Sequence, residues 1–394
     1  MKGWIIAGGL ALVASACSSS AASPATDSTV ASSPGDAVPS TSTTAPVRSG
    51  AIPDVDLSLH SVPLDEIHFD TFDGGSVPLS EADGELILTL RDAIPPIDEP
   101  AYGGPESGSW LGDGDLILGY VAGEQAYAYP IKILDLHEIV NDELDGVPIL
   151  ISYCPLCRSG VVFDRRVEGR ELDFGNTSAL FESDLVMLDR QTGSYWWQVP
   201  GEAIVGTLTG TRLDPLPSTM ATWPEWLAVH PETLVLAPPD GNIERYLTDR
   251  FGSYEGFLDE GNFGFPVGEG SRDPRLPASE LVVGVELEGI HRVYPIESLG
   301  DATVNDSIGG IPVVLFSTSG PAGALFSPVV GDRTLTFQIL DDEFRDDQTG
   351  STWDLGGLAI AGDLIGAQLT SIPTRTTFWF AYVGAFPLAE VWQG

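Results

Sequence analysis

The stretch from Tyr129 to Arg166, YPIKILDLHEIVNDELDGVPILISYCPLCRSGVVFDRR, predicts the order of secondary structure around which the chain is organised. Lys132–Leu144 has apolar residues at mostly helical spacing, so we predict a helix that carries His137. Val147–Tyr153 is short, apolar and rich in β-branched residues, which indicates a buried strand, and a further strand follows after a turn. That turn is Cys154-Pro155-Leu156-Cys157, which carries two thiols.

Two cysteines separated by two residues have three common uses, and the sequence leaves all three open. A redox dithiol needs a helix N-terminus that makes one thiol acidic, whereas the residues after Cys157 include glycine and β-branched side chains that predict a strand. A metal site needs about four ligands, and the only other cysteine, Cys17, lies in the N-terminal leader. His137 is the obvious additional ligand. The third use is structural, as a disulfide or as two buried thiols.

The chain is strongly acidic, with 57 acidic and 18 basic residues and a formal net charge of −39. Because phosphate binding needs a basic surface, this composition excludes a general role in nucleic-acid binding. So many carboxylates also make chance neighbours common, so no pair of acids identifies a catalytic dyad. The sequence contains no nucleophile elbow, phosphate-binding loop or dinucleotide fingerprint, and it assigns no reaction.

The N-terminus predicts a secreted, lipid-anchored protein. Residues 1–16 combine Lys2 with an apolar run too short to span a bilayer, which is typical of a signal peptide. Small residues precede Cys17, as in bacterial lipoprotein signals, so we expect Cys17 to be lipidated. Residues 17–50 are rich in Ser, Thr, Ala and Pro and predict a disordered tether. The expected location is the outer side of the plasma membrane, with the membrane as partner, or the secreted fraction if Cys17 is unmodified.

The remaining chain contains a diverged internal repeat. One lobe spans residues 90–236, a connector spans 237–261, and the second lobe spans 262–392. Three pairs of motifs carry the match: Tyr129-Pro130-Ile131 with Tyr294-Pro295-Ile296, Asn141-Asp142 with Asn305-Asp306, and Gln191–Trp196 with Gln348–Trp353. Short strands with Gly and Pro turns dominate both lobes. The sequence therefore predicts a strand-rich α+β fold in which the two repeats pack as one globular unit.

Features found only in the first lobe mark the candidate site. The second lobe has Thr318-Ser319-Gly320-Pro321 in place of the thiol turn, and the histidine does not recur. Because one histidine and both cysteines are absent together, we predict one shared metal site formed by Cys154, Cys157 and His137. Ligating imidazoles are usually oriented by carboxylates. The candidates for supporting residues are Glu138, Asp164, Asp184 and Met187.

Several motifs in one order resemble a known family. They are Tyr129–Ile131, His137–Asp142, Tyr153–Cys157, Phe163–Arg166, Ser183–Thr192 and Phe265–Val267. In this combination the chain resembles the bacterial family called domain of unknown function 3179, whose members are secreted or lipid-anchored. The resemblance implies an extracytoplasmic protein with no established activity. The family pattern has glycine after the second cysteine, where this chain has Arg158.

Three hypotheses for the function follow from these observations. The first is a cell-surface lipoprotein that binds one soft metal ion, zinc or copper, through Cys154, Cys157 and His137. The second is a thiol-disulfide oxidoreductase that uses the same two cysteines. The third is a non-catalytic interaction module in which the cysteines form a structural disulfide. The metal content of the purified protein separates the first hypothesis from the other two.

Overall fold

A computed structural model describes residues 52–252 and 254–394. The predicted signal peptide at residues 1–16, the tether at residues 17–50 and the lipidation site Cys17 lie outside these residues. Among the residues described, there is no helix with the length and apolar character needed to cross a bilayer.

Short strands make up most of the regular structure. The helices of the described residues are α1 (Gly84–Leu90), α2 (Ile131–His137), α3 (Trp223–Val229), α4 (Tyr254–Asp259), α5 (Ile296–Leu299) and α6 (Trp379–Ala385). The strands up to residue 236 are β1 (Ile67–Asp70), β2 (Ser76–Pro78), β3 (Tyr102–Gly103), β4 (Leu116–Ala122), β5 (Gln125–Pro130), β6 (Ile139–Leu144), β7 (Val147–Cys154), β8 (Ser159–Asp164), β9 (Arg166–Val167), β10 (Arg170–Glu171), β11 (Phe174–Phe181), β12 (Asp184–Asp189), β13 (Tyr195–Trp197), β14 (Glu202–Val205), β15 (Pro215–Leu216), β16 (Ser218–Thr222) and β17 (Leu234–Leu236). The later strands are β18 (Leu281–Leu287), β19 (Ile290–Pro295), β20 (Ala302–Ile308), β21 (Ile311–Ser317), β22 (Gly323–Ser327), β23 (Val329–Val330), β24 (Arg333–Thr334), β25 (Phe337–Leu340), β26 (Glu343–Asp346), β27 (Thr352–Trp353), β28 (Ala359–Ala361), β29 (Thr370–Ser371), β30 (Arg375–Phe378) and β31 (Glu390–Val391). The predicted strand-rich α+β class is confirmed.

Strands from both predicted lobes share one eight-stranded sheet. Its order is β31-β19-β18-β30-β8-β7-β6, and β15 pairs with β8 off this path. The junction is β30 against β8, where Thr376 pairs with Gly160. The largest apolar cluster includes residues of both lobes and contains Cys154 and Cys157. The thiol hairpin therefore lies in a sheet that contains strands of both predicted lobes.

The other sheets are smaller. A six-stranded sheet has the order β14-β13-β12-β11-β1-β2, and a five-stranded sheet has the order β16-β4-β5-β17-β3. Two four-stranded sheets have the orders β20-β21-β22-β29 and β25-β26-β27-β28. Strands β1 and β2 precede the predicted first lobe, yet β1 pairs with β11 inside it. Part of the segment before residue 90 therefore belongs to the folded unit.

The predicted helix over Lys132–Leu144 is wrong in its second half. Helix α2 ends at His137, and Glu138 takes a left-handed backbone conformation with φ 57°. The residues from Ile139 onward form β6, which pairs antiparallel with β7. Ile139 and Val140 are adjacent and both fully buried, so both faces of the strand are covered. An apolar pair in such a strand resembles part of a helical stripe, and periodicity alone does not separate the two.

The predicted repeat register pairs Trp196 with Trp353, and the two indoles lie in similar surroundings. Their exposed fractions are 0% and 2%. Trp196 Nε1 donates a hydrogen bond to Asp189 at 3.0 Å, and Trp353 Nε1 donates one to Asp346 at 3.1 Å. The division of the chain into two lobes and a connector stays a prediction, which a superposition of the lobes would test.

Candidate metal centre

The thiol turn connects β7 to β8. Cys154 is the last residue of β7 and pairs with Ser159 at the start of β8, so residues 155–158 form the turn. The backbone N–H of Cys157 donates to the carbonyl of Cys154 at 3.2 Å, and the two Sγ atoms are also 3.2 Å apart. Arg158 has φ 47°, in the left-handed region that glycine adopts with least strain. A glycine at this position would adopt the same conformation with less strain.

Asp184 brings a carboxylate to the two thiols. Its Oδ1 lies 3.3 Å from Cys157 Sγ, and the ligand atoms of Cys154, Cys157 and Asp184 all lie within 4.8 Å of one another. The amides of Leu185 and Val199 donate to the two carboxylate oxygens at 2.8 and 2.9 Å. All three ligand side chains are buried. The sequence indicated Asp184 as a supporting residue that would orient His137, whereas the structure makes it the third candidate ligand.

The turn before this carboxylate has an unusual backbone. Glu182 and Ser183 both have positive φ, at 53° and 58°, and the Ser183 carbonyl lies 3.3 Å from Cys157 Sγ. Consecutive non-glycine residues in this region are uncommon and persist only where their surroundings hold them. Here the Glu182 carboxylate accepts hydrogen bonds from the Gly268 amide at 2.8 Å and the Ser271 hydroxyl at 2.7 Å. Residues after the connector therefore hold the turn that presents the carboxylate.

Burial disfavours the charged forms of all three side chains at this site. It raises the pKa of Cys154, raises the pKa of Cys157 well above its ordinary value, and raises the pKa of Asp184 to about 7. Across residues 52–252 and 254–394, no lysine, arginine or histidine forms a hydrogen bond or an ion pair with these three side chains. The site is therefore a group of buried acids without a protein cation.

Glu138 is a fourth buried acid, next to the strand that carries the thiols. Its backbone carbonyl accepts a hydrogen bond from the Tyr153 amide at 2.7 Å. Its carboxylate accepts one from Asn176 Nδ2 at 2.5 Å. Burial raises the pKa of Glu138 to about 8, and the nearby carboxylates of Asp135 and Asp184 act in the same direction. Glu138 thus holds its proton at neutral pH.

His137 lies outside this group of ligand atoms, so the predicted ligand set is corrected. Its Nδ1 is 2.7 Å from the Pro95 carbonyl oxygen, and its Nε2 is 3.0 Å from the Tyr246 hydroxyl. The reason is the left-handed backbone of Glu138, which ends α2 and pairs Glu138 with the thiol-bearing strand. His137, at the end of the helix, contacts Pro95 and Tyr246 instead.

Asp164 and Met187 are the remaining residues that the sequence predicted to support the site. Asp164 lies at the opposite end of β8 from the thiol turn and forms an ion pair with Arg166, so its predicted supporting role is wrong. The two residues are local neighbours, and the hydrogen bond from Arg166 lowers the pKa of Asp164. Met187 is fully buried in the apolar cluster that also contains both cysteines. Its supporting role stays a prediction.

The predicted second lobe, which has no cysteines, contributes contacts to the site. Its strand β30 donates two hydrogen bonds to the Cys157 carbonyl, from the Phe378 amide at 2.8 Å and the Thr377 hydroxyl at 3.1 Å. Arg375 Nε donates to the Val199 carbonyl at 2.8 Å, and the Val199 amide is one of the donors to Asp184. No pattern near the cysteines indicated this contribution, because it comes from a strand more than 200 residues away in the sequence.

A cleft of about 210 Å³ opens beside the thiol turn. Pro155 and Arg158 line it from the turn, and Tyr254 lines it from α4 in the connector. Arg158 forms an ion pair with Glu255 and lies over the Phe378 ring at 5.2 Å from its centre. Cys154 and Cys157 are 2% and 0% exposed, so their thiols become accessible only through local opening.

Comparisons with known proteins place the chain in a family. Neither the comparison with curated proteins nor the comparison with solved structures gives a match. The family model described as "Protein of unknown function (DUF3179)" matches residues 91–389, which is most of the chain and includes the thiol turn and Asp184. The chain therefore belongs to the DUF3179 family.

Proposed function

We propose that the protein binds one soft metal ion through Cys154, Cys157 and Asp184. The observation that carries this proposal is the convergence of two thiols and a carboxylate within 4.8 Å in a buried site. Thiolate sulfur favours Zn²⁺ and Cu⁺, and carboxylate oxygen is a further ligand of zinc. Three protein ligands leave one position of a tetrahedral ion for water or an exchanging group. Such a site suits storage, delivery or a metal-dependent reaction.

The charge of the site also supports a bound cation. A cysteine must lose its proton to ligate a metal, and two buried thiolates without a counterion are strongly disfavoured. A divalent ion balances the two negative charges of the Cys154 and Cys157 thiolates. The two residues with their bound ion then carry no net charge in the protein interior. Asp184, held by two backbone amides, supplies an oxygen in either protonation state.

A thiol-disulfide oxidoreductase is the second candidate, favoured by the Sγ–Sγ distance of 3.2 Å. Two observations oppose it. Redox exchange requires a thiolate, whereas burial raises the pKa of both thiols. The residues after the turn form β8, so no helix N-terminus stabilises a thiolate on Cys154. The metal centre is therefore the function that the geometry supports best.

Metal analysis of protein purified under reducing conditions tests this proposal. We expect about one equivalent of zinc or copper per chain, because the described ligands form one site. Metal-free protein should take up one equivalent of Cd²⁺ and show a thiolate-to-metal charge-transfer band. Both thiols should resist alkylation in the loaded protein and react after chelation. Protein that takes up no metal, while its thiols cycle reversibly to a disulfide, would establish the oxidoreductase instead.

We also propose that a lipid on Cys17 holds the protein on the outer side of the plasma membrane. The support is the sequence Ala14-Ser15-Ala16-Cys17 followed by a Ser/Thr-rich tether. Cys17→Ser should move the protein from the membrane fraction to the soluble fraction, because a lipid chain provides the anchoring energy. Fractionation and mass spectrometry of the N-terminus check this. Wild-type protein that is wholly soluble, with an unmodified N-terminus, would contradict the proposal.

A further inference from the structure

A pocket of about 430 Å³ lies between the five-stranded sheet and the sheet formed by β20, β21, β22 and β29. None of its lining residues belongs to the candidate metal centre. The lining residues used in the argument below are Thr219, Glu225, Trp226, His230 and Leu355. The volume is in the range of small-molecule sites. We call this space the inter-sheet pocket.

Two helices of the molecule, α3 beside the inter-sheet pocket and α6 elsewhere, carry aromatic pairs in the same arrangement. Helix α3 and the residue after it provide Trp226 and His230, whose ring centres are 4.2 Å apart. Helix α6 and the residue after it provide Tyr382 and Phe386, whose ring centres are 5.0 Å apart. Each pair consists of residues four positions apart at a helix end.

The strands beside these two helices also correspond. Gly119 pairs with Thr219 between β4 and β16, and Gly284 pairs with Arg375 between β18 and β30. Each glycine makes room for a helix side chain. A Cβ on Gly119 would lie 2.3 Å from the Trp226 ring, and a Cβ on Gly284 would lie 1.8 Å from the Tyr382 ring. Thr219 and Arg375 therefore hold corresponding positions.

The aromatic pair at the end of α6 already has a guanidinium group beside it. Arg375 is 3% exposed, its Nε donates to the Val199 carbonyl at 2.8 Å, and its guanidinium carbon lies 5.4 Å from the centre of the Phe386 ring. Burial lowers the pKa of Arg375, and the nearby Tyr382 and Glu286 act in the opposite direction. A carbonyl acceptor and an aromatic face contact this buried cation directly.

The residues around the inter-sheet pocket correspond to those around Arg375, but Thr219 replaces the arginine. Thr219 has a short side chain, so the space that a longer one would fill stays open. His230, directly after α3, holds the position that corresponds to Phe386, directly after α6. Gly357 and Gly201 both have left-handed backbones that approach a phenylalanine ring. Leu355 lies two residues before Gly357, and Val199 lies two residues before Gly201, so Leu355 corresponds to Val199.

The inter-sheet pocket also has a carboxylate of its own. Glu225 is held in place by hydrogen bonds from the Thr222 amide at 2.9 Å, the Thr222 hydroxyl at 2.6 Å and the Thr318 hydroxyl at 2.6 Å. A carboxylate has about four acceptor sites, so these bonds leave capacity for a further donor. The net charge of −39 attracts cations to the whole protein.

We propose that the inter-sheet pocket binds a small molecule that carries a guanidinium group. Its planar donors would occupy the position that corresponds to the Arg375 guanidinium beside α6. There they would lie against the His230 ring and near the Glu225 carboxylate. Guanidinium differs from ammonium in its planar geometry and weaker hydration, so the pocket should distinguish the two cations. The proposal does not depend on the metal centre.

Calorimetric titration with agmatine tests the proposal, and cadaverine is the control cation without a guanidinium group. We expect saturable one-site binding of agmatine and binding of cadaverine that is weaker by at least about tenfold. The ring resonances of His230 should shift with agmatine. Equal affinity for both amines, or no saturable binding of agmatine, would overturn the proposal.

Two variants locate the binding. Thr219→Arg supplies a guanidinium from the chain itself, so it should abolish agmatine binding, whereas Thr219→Ala keeps the side chain short and should retain saturable binding. Glu225→Gln retains the hydrogen bond that caps α3 and should weaken agmatine binding by about tenfold. Glu225→Gln also keeps the test decisive if Thr219→Arg does not fold. Agmatine binding that survives both variants would place the site elsewhere and refute the assignment.

Discussion

Replacing Cys154 or Cys157 with serine should lower the affinity for Zn²⁺ by more than about 100-fold, because each change removes a thiolate ligand. Asp184→Asn should lower it by about 10- to 100-fold, since the amide keeps one oxygen but carries no charge. Competition with a chromophoric chelator measures the affinities. The near-ultraviolet circular dichroism of buried tryptophans reports whether each variant is folded.

His137→Ala is the matched control, because His137 is also buried but lies outside the ligand group. We expect its metal affinity to equal that of the wild type for the folded fraction, although losing its hydrogen bonds to Pro95 and Tyr246 should reduce stability. If folded His137→Ala loses metal as strongly as Cys154→Ser, the ligand set predicted from the sequence is right and the assignment of Asp184 is wrong.

Glu138→Gln should flatten the pH dependence of stability between about pH 4.5 and 8. Burial raises the pKa of Glu138 from 4.5 to about 8. Between these values the folded chain holds a proton that the unfolded chain has released, so wild-type stability falls as the pH rises. One such proton corresponds to about 1.4 kcal/mol per pH unit. Glutamine does not ionise and can still accept the hydrogen bond from Asn176. The variant should match the wild type near pH 4.5 and exceed its stability by a few kcal/mol near pH 8.

Urea unfolding of metal-free protein across this pH range provides the measurement. The slope should decrease without vanishing, because burial also raises the pKa of Asp184, to about 7, with the same sign of effect. Asp164→Asn is the control. The pKa of Asp164 is lowered by Arg166, so this variant should lose stability relative to the wild type only above about pH 4, with no added slope between pH 5 and 8. An unchanged slope in Glu138→Gln would show that Glu138 is ionised in the folded protein.

The sequence alone determined the class of fold, the family and the position of the thiol turn. Val147–Tyr153 is apolar and β-branched, and Cys-Pro follows it directly, so a buried strand and a turn were predictable from local composition. The cysteines sit where β7 ends, as the pattern indicated. Motifs kept in order over most of the chain identified the family before the fold was known. These features depend on neighbouring residues or on linear order.

The candidate for the third ligand depended on the tertiary structure. The sequence favoured His137, which is closer to the cysteines along the chain than Asp184 is to Cys157. A single left-handed residue, Glu138, separates the end of α2 from β6, and non-glycine residues rarely signal that conformation locally. Asp184 reaches Cys157 from 27 positions away because β12 and its preceding turn pack beside the thiol hairpin. Strand β30, from the predicted second lobe, then holds Cys157 in place. Sequence spacing specifies which side chains share a strand or a turn, whereas long-range packing decides which strands and turns meet.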